Sequence, residues 1–521
     1  MPARRINLIL AMLLTLALAR LWIIQLPVSF WTDEMVTVFV VRHGANHPSL
    51  AIAPQVAQSI YYFLARIANA LAASTHSGAA EVIYRIPSIL AMGLGLFFVA
   101  KLAVRLMHTD AAWFAVFACL GLKSLNTEAT DARPYALGIC VSAAALFFLV
   151  RWMDSNRWPD AVMFAVTAAL LWRVHLTYWP FYLIFAIYTI FRIARDDTPV
   201  TWIRAAMIFT AIAFALAPVA YDASLILRQA QAHVIAPPPS SGELLDSLKW
   251  KLLLSTLSIA ILFKLISQAA LSGGSTSSAG ANPASIEQPA RRLKRASAAE
   301  PAAATSSMVL MLAWWLIYPL TLFAFSRITG DSLFIPRYLS LALPGAAVAG
   351  TFFASRLIPA RFWKFAALIL GAGVVLTVGN WRHPWTAHAN SDWRAAARAV
   401  NTNSSPATPV ICLSPFIEAK SPEWRPDYPL PGFLYSYLNV YPIQGEKDLF
   451  PFGESPQAEA IAQSMLQGTL VHTGRFLIYG RDRDTNMWTA WFTKQPELAG
   501  WSSRHLGKFG DVDAVLFESA R

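Results

Sequence analysis

Residues 6–34 read INLILAMLLTLALARLWIIQLPVSFWTDE, an apolar run that ends in an acidic pair. An apolar run of about 20 residues is long enough to cross the hydrocarbon core of a bilayer as a helix. Similar runs recur along the 521 residues, of which 56% are apolar and 14% are charged. Soluble domains carry about 25% charged residues, so the composition excludes an ordinary soluble protein and indicates a polytopic α-helical membrane protein.

Eleven apolar runs with flanking charges are predicted to span the membrane. They lie at 6–26, 86–105, 111–125, 134–152, 161–175, 178–193, 202–220, 248–267, 308–326, 338–356 and 363–380. Lys and Arg concentrate in the loops that are cytoplasmic if the N-terminus is cytoplasmic, and this bias sets the orientation of bacterial membrane proteins. We therefore expect a multi-pass protein of the bacterial inner (cell) membrane with its N-terminus in the cytoplasm.

The remaining segments predict a two-domain organisation. Residues 1–384 form the membrane domain, and residues 385–521, with mixed charges and short β-rich runs, are expected to form a periplasmic α+β domain. Within the first outer loop, 27–85, the apolar stretch 51–73 is interrupted by polar residues and is predicted to lie on the outer surface as an interfacial helix. The Ser-, Ala- and Gly-rich segment 267–307 indicates a flexible cytoplasmic linker.

Charge and cysteine content exclude two further classes. The 42 Lys and Arg against 30 Asp and Glu give a net charge of +12, but the excess lies in the membrane part, where orientation explains it, so we expect no nucleic-acid binding. Three cysteines do not make a disulfide framework. We expect Cys119, Cys140 and Cys412 to act as small apolar residues.

Two acidic loops carry the candidate chemistry. Asp33 and Glu34 follow the first span directly, and Glu128, Asp131 and Arg133 precede the fourth, on the same side of the membrane. Carboxylates at this boundary can accept a proton from a hydroxyl or hold a divalent cation. Ordinary loop solvation or helix capping would explain the acid pair equally well.

Arginines near the same boundary are candidate phosphate ligands, because the guanidinium group is a planar fork of donors. Arg337, followed by Tyr338, is the first candidate, with Arg133 and Arg20 behind it. Arg20 in the first span has the alternative of extending its charge to the interface. His175 and Tyr178 end the fifth span, where packing is the commoner role for a lone histidine. No Gly-rich phosphate loop and no zinc-ligand spacing occurs in the sequence, so we expect no nucleotide-linked substrate.

Several short motifs appear in a fixed order along the chain. They are WTDE at 31–34, EVIYRIPS at 81–88, DARPYAL at 131–137, His175 to Tyr178, PRYL at 336–339 and SDWRAA at 391–396. In this order the chain resembles the GT-C superfamily of polytopic glycosyltransferases. It is most similar to the bacterial branch that includes protein O-mannosyltransferases, aminoarabinose transferases and core galacturonosyltransferases. One departure lies at His47-Pro48-Ser49-Leu50, where the family commonly has His-Pro-Pro-Leu-Tyr-Tyr.

The resemblance implies a GT-C fold of about 11 transmembrane helices with an extracytoplasmic α+β domain. It also implies transfer of a sugar, with inversion, from a polyprenyl-phosphate donor to an envelope acceptor, which is a lipopolysaccharide or lipid, a polysaccharide or a protein. By position, Asp33 is the expected general base, with Glu34 beside it and Asp131 as the second acidic group. The expected substrate-binding residues are Arg337, Tyr338, Arg133, Tyr135, Arg20, Glu128, His175, Tyr178 and Arg85.

Physical reasoning supports the same side of the membrane. The tails of a lipid-linked donor stay in the bilayer, so its reacting carbon must lie at the interface, where the acidic loops are. A divalent cation, Mg²⁺, Mn²⁺ or Ca²⁺, is compatible with these loops, as is transfer without metal, and no metal ligand is assigned. The rival classes are a lipid or solute transporter or flippase and a non-catalytic envelope scaffold.

Overall fold

A computed structural model gives the architecture for residues 3–44, 59–73, 75, 77–230, 237–272, 290–379, 391–420 and 432–519. Within these ranges the membrane part contains α1 (Ala3–Leu18), α2 (Thr32–His43), α3 (Tyr61–Ala72), α4 (Ser77–Leu106), α5 (Ala111–Leu120), α6 (Lys123–Ala129), α7 (Tyr135–Ser155), α8 (Trp158–Val174), α9 (Phe181–Ala194), α10 (Trp202–Ala230), α11 (Ser241–Ser247), α12 (Trp250–Ser272), α13 (Ala290–Thr329), α14 (Ala342–Ser355) and α15 (Trp363–Thr377). The C-terminal part contains α16 (Trp393–Asn403), α17 (Ser436–Val440), α18 (Pro456–Met465), α19 (Asp482–Thr493), β1 (Pro409–Leu413), β2 (Glu446–Phe450), β3 (Arg475–Arg481), β4 (Trp501–His505) and β5 (Val512–Ser519).

The helical membrane architecture is confirmed. Among the described residues, nine helices are long and apolar enough to cross a membrane. The other two predicted spans correspond to α8, which has 17 residues, and to α5, which has only 10 because the run 111–125 breaks at Gly121 before α6. The first run also departs from a regular helix, since α1 continues into a π-helical turn at Ala19–Ile23.

Small residues let the central helices approach closely, as is usual in membrane bundles. A Cβ on Gly95 of α4 would lie 3.2 Å from the Cα of Cys140 in α7, and one on Gly345 of α14 would lie 2.8 Å from the carbonyl oxygen of Trp314 in α13. On the face that points away from the helix bundle, α4 exposes Leu90, Leu94 and Phe97. Apolar side chains on that outward stripe suit contact with lipid.

The described residues of the first loop contain two helices, α2 and α3, before α4 begins. Helix α3 buries Tyr61, Ala65 and Ala68 and exposes Phe63 and Ile67, the two-faced pattern expected of an interfacial helix. It covers the second half of the predicted stretch 51–73, whereas 45–58 lies outside the described residues. Its position in a membrane interface stays a prediction.

The segment predicted as a flexible linker differs from expectation over its described part. Helix α12 continues to Ser272 and α13 already begins at Ala290, so the described residues of 267–307 are helical. The physical reason is composition, because Ala, Arg and Lys favour a helix. The Ala-rich residues that precede the apolar run 308–326 therefore extend α13 toward its N-terminus. Residues 273–289 lie outside the described residues.

The C-terminal domain is built on one five-stranded sheet of order β2-β1-β3-β5-β4. Strand β1 is parallel to β2 and β3, and β5 is antiparallel to β3 and β4. One face of the sheet packs on α18 and α19. The other face shares a hydrophobic core with α16, α17 and the loop helices α2 and α3. The domain is therefore packed directly on the segment that carries the acid pair.

The three cysteines are buried free thiols, Cys119 and Cys140 among the membrane helices and Cys412 in β1. This agrees with their expected role as small apolar side chains.

Candidate functional site

The first turn of α2 presents two adjacent carboxylates in different directions, because successive helix positions are rotated by about 100°. Acidic side chains are favourable there, since the helix N-terminus carries partial positive charge. Glu34 is fully buried, whereas Asp33 is 16% exposed. The two side chains consequently have different surroundings.

Asp33 lies between two arginines. Its Oδ2 is 2.6 Å from a terminal nitrogen of Arg337 and 3.9 Å from one of Arg133. Arg133 also donates to the backbone carbonyl of Asp33 at 3.2 Å. Arg337 is 35% exposed and Arg133 12%, so the predicted base and the first predicted phosphate ligand meet at a partly exposed position. The site around Asp33, Arg133 and Arg337 is called the recess below.

The second acidic loop reaches the same recess. Asp131 accepts a hydrogen bond from the indole N–H of Trp31 at 3.0 Å. Glu128 is 5% exposed. Burial and the charge of Asp131 raise the pKa of Glu128 well above its usual range, although Arg337 and Arg133 oppose the shift. This shift favours the protonated form of Glu128.

An aromatic wall borders the arginines. The ring of His175 lies 5.7 Å from Tyr135, 5.3 Å from Tyr178 and 5.0 Å from Tyr338, centroid to centroid. Nδ1 of the His175 imidazole contacts the Thr177 hydroxyl at 2.8 Å.

Several buried polar atoms around this recess lack a hydrogen-bond partner among the described residues. They are Glu128 Oε2, Arg133 Nε, Tyr135 Oη and Arg337 Nε. Buried polar groups are nearly always hydrogen-bonded. A group of them on side chains that line one recess suits water or a polar ligand rich in hydroxyl or phosphate oxygens.

Two predicted site residues, Glu34 and Arg85, instead form a closed ion pair. Glu34 accepts from Arg85 Nε at 2.7 Å and from a terminal nitrogen of Arg85 at 2.5 Å. Its oxygens also accept from the backbone N–H groups of Ala132 and Trp31. Arg85 is 3% exposed and every guanidinium nitrogen is bonded. Neither partner offers an open atom in this arrangement, and substrate binding by Arg85 stays a prediction.

Arg20 links the first span to α15. Its guanidinium donates to the carbonyl of Val375 in α15, and Trp22, two residues later, donates to Asn126 at 2.9 Å. These contacts join the end of the first span to α15 and α6. The structure thus does not place Arg20 with the two arginines that contact Asp33.

Sequence reasoning missed some residues next to the recess. Trp31 was part of a recognised motif, but its contact with Asp131 spans 100 positions and needs the fold. Arg481 of β3 donates to the Thr32 hydroxyl at 3.3 Å, next to Asp33. Arg481 belongs to no motif, so the sequence carried no signal for it.

The carboxylates already face donors. Asp33 faces two arginines and Asp131 an indole N–H, and the described residues contain no cluster of three or more His, Cys, Asp or Glu that would suit a metal ion. A divalent cation prefers several open oxygen ligands. This donor set does not fit one unless Arg337 moves away.

Neither a family model nor a curated protein matches the chain. Two crystal structures of ArnT from Cupriavidus metallidurans are similar to it. One, bound to undecaprenyl phosphate, has a TM-score of 0.53 at 10% identity over 97% of each chain. The other, in the apo state, has a TM-score of 0.52 at 12% identity over 98% of this chain and 97% of that one. The likeness extends over nearly the whole chain and is a likeness of fold.

Proposed function

Because the chain has the GT-C fold of ArnT, we propose that it is a membrane glycosyltransferase that moves a sugar from a polyprenyl-phosphate donor to an envelope acceptor. The observation that carries the proposal is the ion pair of Asp33 with Arg337 in a partly open recess. It combines a group able to accept a proton with a group suited to a phosphate. ArnT of the same fold binds undecaprenyl phosphate, which supports a carrier of that class here.

In the proposed reaction Asp33 is the general base. It takes the proton of an acceptor hydroxyl while the hydroxyl oxygen attacks the anomeric carbon of the sugar. The bond between that carbon and the phosphate oxygen breaks, and the electron pair leaves with the polyprenyl phosphate. Attack from the face opposite the leaving group inverts the anomeric centre, and a positioned base of this kind contributes about 10²- to 10⁴-fold to rate.

Arg337 and Arg133 stabilise the departing phosphate as its charge develops. Arg337 is the more exposed of the two, so it can turn from Asp33 toward the carrier with little loss of buried contacts. That exchange releases the Asp33 carboxylate for the acceptor. The phosphate thus takes over the cation that neutralises the base in the free protein.

The sugar occupies the recess between the arginines and the aromatic wall. Glu128 and Tyr135 have partner-free polar atoms there, and Tyr338 and His175 offer ring faces. Asp131 orients the recess through Trp31. Glu34 acts through position alone, because its oxygens bind Arg85 and backbone N–H groups.

The reaction is proposed for the periplasmic side of the bacterial inner membrane, with the N-terminus cytoplasmic and the C-terminal domain periplasmic. The acceptor is a lipid, polysaccharide or protein of the envelope. We propose that no metal ligand is required, because Arg337 and Arg133 supply the positive charge beside Asp33.

The test uses the purified full-length chain in liposomes with a panel of radiolabelled polyprenyl-phosphate sugars and an envelope extract as acceptor. Transfer of label with release of free polyprenyl phosphate is the expected result, and the anomeric configuration of the product reports inversion. If labelled lipid crosses the bilayer with its phosphate–sugar bond intact, the chain is a transporter and the proposal is overturned.

A further inference from the structure

We infer that the C-terminal domain positions the catalytic base, through Arg394, Tyr441 and Arg481, by holding the backbone segment 27–32 that leads into Asp33. This segment is called the strap below. The catalytic meaning of the inference rests on the proposed function, whereas the clamping of the strap is a property of the fold. Two motifs singled out in the sequence, EVIYRIPS and SDWRAA, supply several of the contacts.

The membrane side of the clamp is Arg85. One of its terminal nitrogens donates to the carbonyls of Leu26 and Val28, at 2.7 Å each, and the other to the carbonyl of Ser29 at 3.2 Å. Because residues 27–31 of the strap belong to no regular helix or strand, their carbonyls need partners from elsewhere. Arg85 satisfies those that point toward α4.

The C-terminal domain holds the same segment at its start and middle. A terminal nitrogen of Arg394 donates to the carbonyl of Pro27 at 2.7 Å, and the Arg394 backbone N–H donates to the Ser29 hydroxyl at 3.2 Å. The Tyr441 hydroxyl accepts the Phe30 N–H at 2.9 Å. The domain therefore provides hydrogen-bond partners for polar groups of the strap that Arg85 does not contact.

Arg481 completes the clamp at the end of the strap. It donates to the hydroxyl of Thr32, which precedes Asp33 directly. Gly480, just before it, has no room for a side chain, since a Cβ would lie 2.7 Å from the Cβ of Leu413 in β1. Close packing of β3 on β1 thus fixes the backbone before Arg481, so the contact with Thr32 comes from the C-terminal end of the central strand.

Glu81 links the two sides of the clamp. It is 1% exposed and accepts from the Tyr441 hydroxyl at 2.7 Å and from Arg394 at 3.3 Å. Glu81 lies four residues before Arg85 on α4, so both project from one face of that helix. One stretch of α4 therefore anchors the domain residues through Glu81 and the strap through Arg85.

A base must stand within hydrogen-bond reach of the proton it takes, and a misplacement of about 1 Å costs roughly 100-fold in rate. Arg394, Tyr441 and Arg481 are positioning residues in this sense. They set where Asp33 stands relative to Arg337. The C-terminal domain thus contributes to the proposed active site through the backbone that carries the base.

The test compares the double variant Arg394→Gln/Tyr441→Phe with the matched control Arg398→Gln, which changes an exposed arginine on the same helix. We expect kcat to fall about 10- to 100-fold in the double variant, with unchanged affinity for polyprenyl phosphate alone. The control should retain wild-type turnover. The inference would be overturned if the double variant kept the wild-type kcat. It would also be overturned if affinity for polyprenyl phosphate fell by the same factor as kcat. Arg481→Gln, which removes the Thr32 contact, should lower kcat less than the double variant does and covers the case in which the double variant misfolds.

A second readout needs no substrate. Hydrogen exchange followed by mass spectrometry should show faster exchange at amides 28–34 in the double variant and no change there in Arg398→Gln. Unchanged exchange would refute the clamp even if turnover fell. If exchange responds as expected but the wild-type chain transfers no sugar, the clamp stands and the proposed function fails.

Discussion

The recess around Asp33 and the anchor around Glu34 begin at adjacent positions of one helix, yet they are opposite kinds of site. In the recess, Asp33 and Arg337 are 16% and 35% exposed and meet through one short contact. In the anchor, Glu34 and Arg85 are 0% and 3% exposed and meet through two nitrogens, with backbone groups completing both. The first pair can exchange partners at low cost, whereas separating the second would strand buried charges.

The opposite ends of the helices repeat the closed arrangement. Arg192 of α9 donates to Asp154, Asp197 and the hydroxyl of Tyr188. Such fully engaged networks hold helix ends together. By contrast, several partner-free polar atoms gather around a partly exposed arginine in the recess, which supports the proposed ligand site there.

The largest effect is expected from Asp33→Asn, which removes the proposed base and keeps the shape of the side chain. Sugar transfer should fall about 10²- to 10⁴-fold. The melting temperature should fall less than in Glu34→Gln, because Arg337 is 35% exposed and can turn its charge toward solvent when the Asp33 carboxylate is removed. Transfer assays and thermal melts of the two purified proteins check both parts. Retained activity would move the base to another residue.

Glu34→Gln is the matched change on the other side of the comparison. Removing one charge of a buried pair costs about 3–5 kcal/mol, so we expect a clear fall in melting temperature and a lower yield of folded protein. Any loss of transfer should follow the folded fraction. A stable Glu34→Gln protein with no activity would contradict the anchor role and return Glu34 to the chemistry.

The sequence predicts much of this architecture because membrane helices obey a simple length and hydropathy rule. The C-terminal α+β domain was expected, and the helix predicted over 51–73 is present at Tyr61–Ala72. The direct contact of Asp33 with Arg337 was not predicted, although both residues were candidates for one site. Short elements escaped the rule. The run 111–125 was expected to be one span, but α5 ends after 10 residues at Gly121. The turn that follows leads into α6, which carries Glu128 beside the recess.

Roles within the acidic pair could not be predicted, since spacing along the chain does not report burial. Glu34 and Arg85 lie 51 positions apart and Tyr441 and Glu81 lie 360 apart, so their contacts depend on the tertiary fold. Motif resemblance identified the segments involved. It could not distinguish a residue that contacts substrate from one that holds the backbone beneath it.

Glu128→Gln sharpens the comparison through pH. The raised pKa of the buried Glu128 means that the native state binds its proton more tightly than the unfolded chain, whose glutamates titrate near 4.3. The stability contributed by this proton is present below that value and is lost as pH rises through the raised native pKa. The melting temperature of Glu128→Gln should therefore rise relative to that of the wild-type protein as pH increases from about 5. Parallel melting curves would show that the native carboxyl is not held neutral.

The smallest effect is expected from metal removal. Arg337 at 2.6 Å and Arg133 at 3.9 Å already neutralise the carboxylate of Asp33, so a dication would have to displace a paired arginine and would gain few open oxygens in exchange. Transfer in the presence of a chelator should stay within about twofold of the untreated rate, far less than the loss in Asp33→Asn. Loss of transfer that one added cation restores would mean that Arg337 leaves Asp33 when substrate arrives and that the carboxylate then binds metal. In that case the recess would differ from the Glu34 anchor in ligand chemistry as well as in exposure.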